Sequence, residues 1–195
     1  MKTDVIVVSS EGSRMDAALA QTEKVAEYKG LSHKNMLHLR LLAEEMMSMM
    51  GSIAGNVEGE FWIEDDDNVY QLHLKVKTDM DAEQRKQLIS ASSSGKNEAH
   101  RGFMGKLRSF FEADDVFPMY YEAGMMSTSS DVFVDMSWSM RAYREQVERY
   151  MQEQRKGADE AWDELEKSVV AHVADDVKVS IKGRTVDLTI IKKLA

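Results

Sequence analysis

A chain of 195 residues with 43% hydrophobic and 30% charged side chains is long enough for one substantial domain and ordinary for a soluble globular protein. The net charge of −9 argues against a general nucleic-acid or anionic-membrane binder, and the absence of cysteine excludes disulfides, thiolate metal sites and cysteine nucleophiles. The opening MKTDVIVVSS lacks the apolar core and cleavage site of a signal peptide, and no run approaches the ~18 uninterrupted apolar residues of a membrane span, so a cytoplasmic, bacterial-type protein is expected.

In chain order, Asp4–Val8 is a short, β-branched, apolar strand. Ser13-x-x-Asp16 has the form of a capping box, and Met15, Ala18, Leu19, Thr22, Val25 and Ala26 then fall on one helical face that ends at Gly30. A second helix is expected from Ser32, a good N-cap, to a stop at Gly51. Apolar residues fill so many of its positions from Met36 to Met50 that the spacing predicts a helix covered on most of its circumference. Arg40, Glu44, Glu45 and Ser48 interrupt it. Glu44 and Glu45 point about 100° apart, and a carboxylate on a covered helix needs a partner, because an unpaired buried charge is costly. Such a residue is either paired for structure or part of a site.

Phe61, Trp62 and Ile63 read as a strand, and Asp65-Asp66-Asp67-Asn68 as a hairpin turn. Tyr70, Leu72, Leu74 and Val76 then alternate with polar residues, one face buried and one solvated. Residues 82–113 look helical around the Ser/Gly-rich ASSSGKN, and 114–137, with the lone proline Pro118, show no clear pattern. From Met140 a helical stripe runs through 143, 147, 150 and 151 and resumes at 161, 162, 165, 169 and 173, with Gly157 either dividing two helices or weakening one. A hairpin closes the chain: Val177, Val179 and Ile181, a turn at Lys182-Gly183, then Val186, Leu188 and Ile190. The 15 methionines suit an adaptable core, or an interface that must repack. This order of elements predicts a single-domain α/β (α+β) two-layer sandwich: a mixed, mainly antiparallel sheet with helices on one face.

The leading strand, the capped helix, the Gly30-Leu31-Ser32 turn and the run LxLLAEEMMSMM resemble the opening of the anti-sigma-factor serine kinases. These belong to the Bergerat-fold (GHKL) ATPases, with gyrase B, MutL and the histidine kinases. The terminal VKVSIKGRTVDLTI is similar to the end of the same domain. The likeness covers about residues 3–110 and 160–193 and leaves 114–160 as an insertion. It implies a histidine-kinase-like ATPase fold for the whole of 1–195, ATP and Mg²⁺ as cofactors, and regulation of a sigma-factor-like or other regulatory protein. It leaves a homodimer open and implies neither nucleic acid nor membrane as partner.

Carried over position by position, the resemblance puts the family's catalytic glutamate on Glu45 and its Mg²⁺-binding asparagine on Met49. A thioether is a poor ligand for so hard a cation. A register one residue earlier uses Glu44 as the catalytic group and the Ser48 hydroxyl as the metal ligand. The adenine-binding aspartate corresponds to Asp79, although both glycines of that motif are replaced in Asp79-Met80-Asp81-Ala82-Glu83. The phosphate-cradling glycines correspond to Gly102 and Gly105, with Arg101 and Lys106 beside them. Thr185 stands one place late for the family's closing Gly-Thr.

Each assignment has a plainer reading. Glu45 pairs with Arg40 or a lysine; Asp79 and Asp81 cap a helix beginning near Ala82; Gly102 and Gly105 serve helix initiation and packing; the basic group around Arg101 offsets local acidity. If those readings hold, the chain is a pseudo-ATPase interaction module that binds no nucleotide and grips its partner through 114–160. Glu45 as a general base in an apolar pocket is a third, weaker option. The five histidines lack metal-ligand spacing, His33 and His38 missing the i,i+4 geometry of a helical pair.

Overall fold

A computed structural model describes residues 1–9, 14–54, 57–77, 136–155, 157–182 and 185–194. The helices expected within 82–113, the unpatterned run with Pro118, and Asp79, Arg101, Gly102, Gly105 and Lys106 lie outside the described residues. Strands β1 (Ile6–Ser9), β2 (Glu58–Asp66), β3 (Val69–Lys77), β4 (Met136–Ser139), β5 (Asp176–Lys182) and β6 (Thr185–Lys193) form one six-stranded sheet in the order β1-β2-β3-β6-β5-β4. Every neighbouring pair is antiparallel, so the sheet is not mixed among the described strands. Helices α1 (Met15–Tyr28), α2 (His33–Ala54), α3 (Met140–Gln152), α4 (Ala158–Lys167) and α5 (Val169–Val173) complete the α/β fold.

Period-two alternation decides which face of the sheet is covered. Phe61 and Ile63 of β2, Tyr70, Leu72, Leu74 and Val76 of β3, Val186, Leu188 and Ile190 of β6, and Val177 and Val179 of β5 are all buried. They form one cluster with Ala18, Val25 and Ala26 of α1, the α2 residues Leu39, Leu42, Ala43, Met46, Met47, Met49 and Met50, and Met140 and Val147 of α3. The alternate residues point to the opposite face, helix-free among the described residues, where Trp62, Glu64, Gln71, His73, Thr189 and Ile191 are only partly exposed.

Several local expectations are corrected. The capping box does not start α1: the N-cap is Arg14, in a left-handed conformation with no side-chain cap, and Ser13 lies outside the described residues. At the other end Gly30 (φ 62°) donates to the Glu27 carbonyl and Leu31 to that of Ala26, the Schellman pattern that needs a residue free to adopt positive φ. Ser32 does begin α2, its Oγ accepting from the Asn35 N–H at 3.3 Å, but Gly51 does not end it. A helix-interior glycine costs only about 1 kcal/mol, and the buried pair Met49 and Met50 just before it holds the helix down. The hairpin turn is the two-residue Asp67-Asn68, both at positive φ, so Asp65 and Asp66 belong to β2. Gly157 (φ 85°) separates α3 from α4. Residues 136–160, read as part of an insertion, contribute the edge strand β4 and the helix α3 to the same sheet and core.

Close approach explains one glycine. A Cβ on Gly59 would lie 3.1 Å from Leu74 Cδ1 and 3.2 Å from both the Lys75 carbonyl and Met50 Cε, so β2 packs tightly there against β3 and α2.

Two buried carboxylates tie the ends of elements together. Asp176 accepts hydrogen bonds from the Ser139 hydroxyl (3.1 Å), the Arg141 N–H (3.0 Å) and the Val177 N–H (2.9 Å), joining the start of β5 to the N-terminus of α3. Ser139 is itself the N-cap of α3, accepting from the Ala142 N–H. Asp65 sits on the inner face at the end of β2, 2.7 Å from the Lys29 ammonium beyond α1 and 3.3 Å from the Met1 amino group, which holds its Oδ1 through charge and not through a hydrogen bond. Burial alone would raise the Asp65 pKa, but the hydrogen bond from Lys29 and the nearby Met1 ammonium outweigh it and leave the group below the usual carboxylate range.

Asp176→Ala strands the buried Val177 N–H and the part-buried Arg141 N–H and should cost about 3 kcal/mol, against about 1 kcal/mol for Ser139→Ala, both read from urea denaturation midpoints. A carboxylate whose pKa is depressed by folding adds stability above its ordinary pKa and loses it as pH falls through the depressed value. Lys29→Met removes the main partner of Asp65, so its acid-unfolding midpoint should move to higher pH, and Asp65→Asn in the same background should abolish that displacement.

Candidate functional site

Helix α2 is not covered all round. Its buried residues span an arc of roughly 160° from Met49 to Met47, taking about 100° per residue, and the rest of the circumference carries Leu37, Arg40, Leu41, Glu44, Glu45 and Ser48. Leu37 is exposed, Ser48 is exposed, and Glu44 and Glu45 are half-buried. The Arg40 guanidinium turns to Glu44 one turn along α2 (3.0 Å) and to Glu23 on α1, not to Glu45. Those two carboxylates hold its pKa above the ordinary arginine value, the Glu23 hydrogen bond contributing most.

Met49, the position that the family resemblance assigns to a metal-binding oxygen, is fully buried in the core. Ser48 lies about 100° round the helix from it, facing outward. Neither arrangement offers a hard oxygen beside Glu45 on the sheet side, so the described residues do not fit a Mg²⁺-nucleotide at this helix. Thr185 opens β6 opposite Lys77 and Lys182. Its neighbour Val186 points inward, so alternation places Thr185 on the helix-free face, and the sheet separates it from α2. Among the described residues, no group of three or more His, Asp or Glu side chains has metal-binding geometry.

The helix-free face holds a cluster that sequence reasoning missed. Register sets Trp62 opposite His73 and His73 opposite Thr189. The Trp62 and His73 rings stack with centroids 4.8 Å apart and planes 7° from parallel. Trp62 Nε1 donates to Glu64 Oε1 at 2.9 Å, and the Lys2 ammonium reaches the same oxygen at 2.9 Å while lying 5.0 Å over the indole. Nδ1 of His73 is 3.1 Å from the Thr189 hydroxyl; its Nε2 is buried without a hydrogen-bond partner, 3.9 Å from Glu64 Oε2. Burial pushes the His73 pKa down, with Lys2 adding to the effect and Glu64 and Asp187 opposing it. Glu64 is held below its usual value, first by Lys2 and then by Trp62.

The signal for this cluster was present in the turn. A two-residue turn at Asp67-Asn68 makes Trp62 face His73, whereas a turn centred on 65–68 would set it opposite Gln71. Comparison with protein-family models, with curated proteins and with solved structures returned no match for this chain. No described helix is long and apolar enough to cross a membrane.

Because Arg40, Glu23 and Glu44 are all more than a third exposed, their bridges should contribute little. Glu44→Gln is expected to change the thermal midpoint by no more than about 2 °C. A larger loss would mark Glu44 as more than a surface charge.

Proposed function

We propose that this chain is a regulatory module of histidine-kinase-like ATPase build that acts by holding a protein partner, without phosphoryl transfer. The order of its elements supports that build: a strand and two helices, a hairpin, and a closing hairpin whose last strand joins the first hairpin in one sheet. Asp79 follows β3 by two residues, which agrees with the family's adenine-binding position.

The observation that carries the non-catalytic reading is the burial of Met49. Phosphoryl transfer in such sites rests on positioning and on Mg²⁺ electrostatics, and Mg²⁺ demands oxygen ligands. Turning α2 by about 100° to bring Ser48 to the place of Met49 would swing Met47 and Met50 out of the core, each worth about 1.5–3 kcal/mol of burial. Arg40 engages Glu44, the alternative catalytic carboxylate, at the surface. A net charge of −9 favours a partner with a basic surface. ATP binding without turnover is the neighbouring reading, since the resemblance places the adenine and phosphate contacts largely on other residues.

Calorimetric titration with ATP and Mg²⁺ at millimolar concentration separates these readings. No heat of binding is expected. Mg²⁺-dependent binding that Glu45→Ala abolishes would overturn the proposal and restore the anti-sigma-factor kinase. In parallel, removing residues 114–135 should abolish capture of the partner while the urea transition stays cooperative; undiminished capture would count against the interaction role.

A further inference from the structure

Residues 1–5 lie along β2 as a short strap ahead of β1. The Thr3 N–H donates to the Ile63 carbonyl at 2.9 Å, the Ile63 N–H to Thr3 Oγ1 at 2.9 Å, and the Asp65 N–H to the Met1 carbonyl at 2.9 Å. Gln21 of α1 holds the strap from the other side, donating to the Asp4 carbonyl at 2.8 Å and to the Thr3 hydroxyl. The Lys2 side chain reaches the helix-free face, where its ammonium meets Glu64 and Trp62.

Glu64 stands between two claimants. Its Oε1 takes Lys2 and Trp62; its Oε2 faces His73 Nε2 across 3.9 Å. The tautomer in which Nδ1–H donates to Thr189 leaves Nε2 as a bare acceptor opposite a carboxylate oxygen, a confrontation of two lone-pair carriers in a buried spot; the other neutral tautomer sets an N–H there, 3.9 Å from the carboxylate and without a hydrogen bond. A proton on Nε2 turns that confrontation into an ion pair. It also places an imidazolium against one part of the Trp62 surround and the Lys2 ammonium against another, like charges sharing a carboxylate.

We propose that His73 makes the strap a pH-sensitive clasp: proton uptake at Nε2 draws Glu64 from Lys2 and loosens residues 1–5 from β2. The charged groups around the imidazole are Glu64 and, one row along, Glu60 on β2; Lys75 on its own strand; Asp187 on β6; Lys178 on β5 beyond Thr189; and Lys2 on the strap. Lys2 is the only one of these carried on a segment outside the sheet, so it is the charge that can move away. Burial keeps the His73 pKa below its ordinary value and the docked Lys2 ammonium adds to that depression, so by the Lys2 contribution the docked form binds fewer protons than the released form and acid favours release. Glu64 and Asp65, both held below the usual carboxylate range, stay ionised through the same interval. The inference is independent of the reading of α2.

The experiment is amide hydrogen exchange on the intact chain between about pH 8 and pH 5, read as protection factors at Thr3 and Asp65, together with the His73 ring resonances in the same NMR samples. Protection at both amides should fall several-fold toward the acid end, with the midpoint of the ring titration, and protection in β3 should hold. His73→Gln should flatten the dependence, and Lys2→Met should shrink it. Protection that is constant in the wild type, or that falls at a midpoint different from that of the His73 ring, overturns the clasp; the second comparison needs no variant to fold.

Discussion

Three neighbouring strands present a single apolar face, and something apolar has to lie on it. That requirement organises the molecule. Phe61 and Ile63, Tyr70 to Val76, and Val186 to Ile190 alternate in phase across β2, β3 and β6, so a slip of one residue in any of them would turn its whole set outward. Helix α2 supplies the cover with an arc of leucine and methionine, and α1 and α3 extend it over β1 and β4. Methionine suits the task. An unbranched thioether fits an irregular gap against a twisted sheet, and Met50 packs closely over Gly59 of β2.

The alternation of β3 and of the closing hairpin was readable because period two has one physical cause, a half-buried strand. The stripe of α1 was readable for the matching reason at period 3.6: the spacing placed Ala18, Thr22, Val25 and Ala26 together, and they are the buried residues of that helix. What misled was density. Ten apolar side chains between Met36 and Met50 suggest a helix covered all round, yet Leu37 and Leu41 lie on the solvent side with Arg40 and Glu44. Isolated exposed leucines are common on folded surfaces, so counting apolar residues overstates burial where their angular positions do not. Gly51 and the Asp-rich turn failed for a related reason. Local signals give the kind of punctuation, and tertiary packing chooses the residue at which it acts.

The candidate site was less legible than the fold. A motif read along one strand or helix fixes the side on which its residues point only once the register is known. Thr185 and Glu45 belong to one site in the family resemblance, but alternation against Val186 and the arc of α2 put them on different sides of the sheet. The pairing of Trp62 with His73 is a cross-strand relation, invisible until the turn is placed to the residue.

Where the acids sit bears on what they can do. Among the described residues the buried carboxylates are not on α2; they are Asp65 and Asp176, at the end of β2 and the start of β5. Asp176 has its oxygens filled by backbone and hydroxyl donors, and Asp65 is neutralised by ammonium groups, so each stabilises a junction. Glu44 is engaged at the surface by Arg40. His73 is in the opposite situation: a buried nitrogen with no donor, a carboxylate just beyond reach, and an ordinary pKa near neutrality from which burial moves it. The acids of the core are tied to element junctions, while the imidazole without a hydrogen bond at Nε2 stands on the face that no described helix covers.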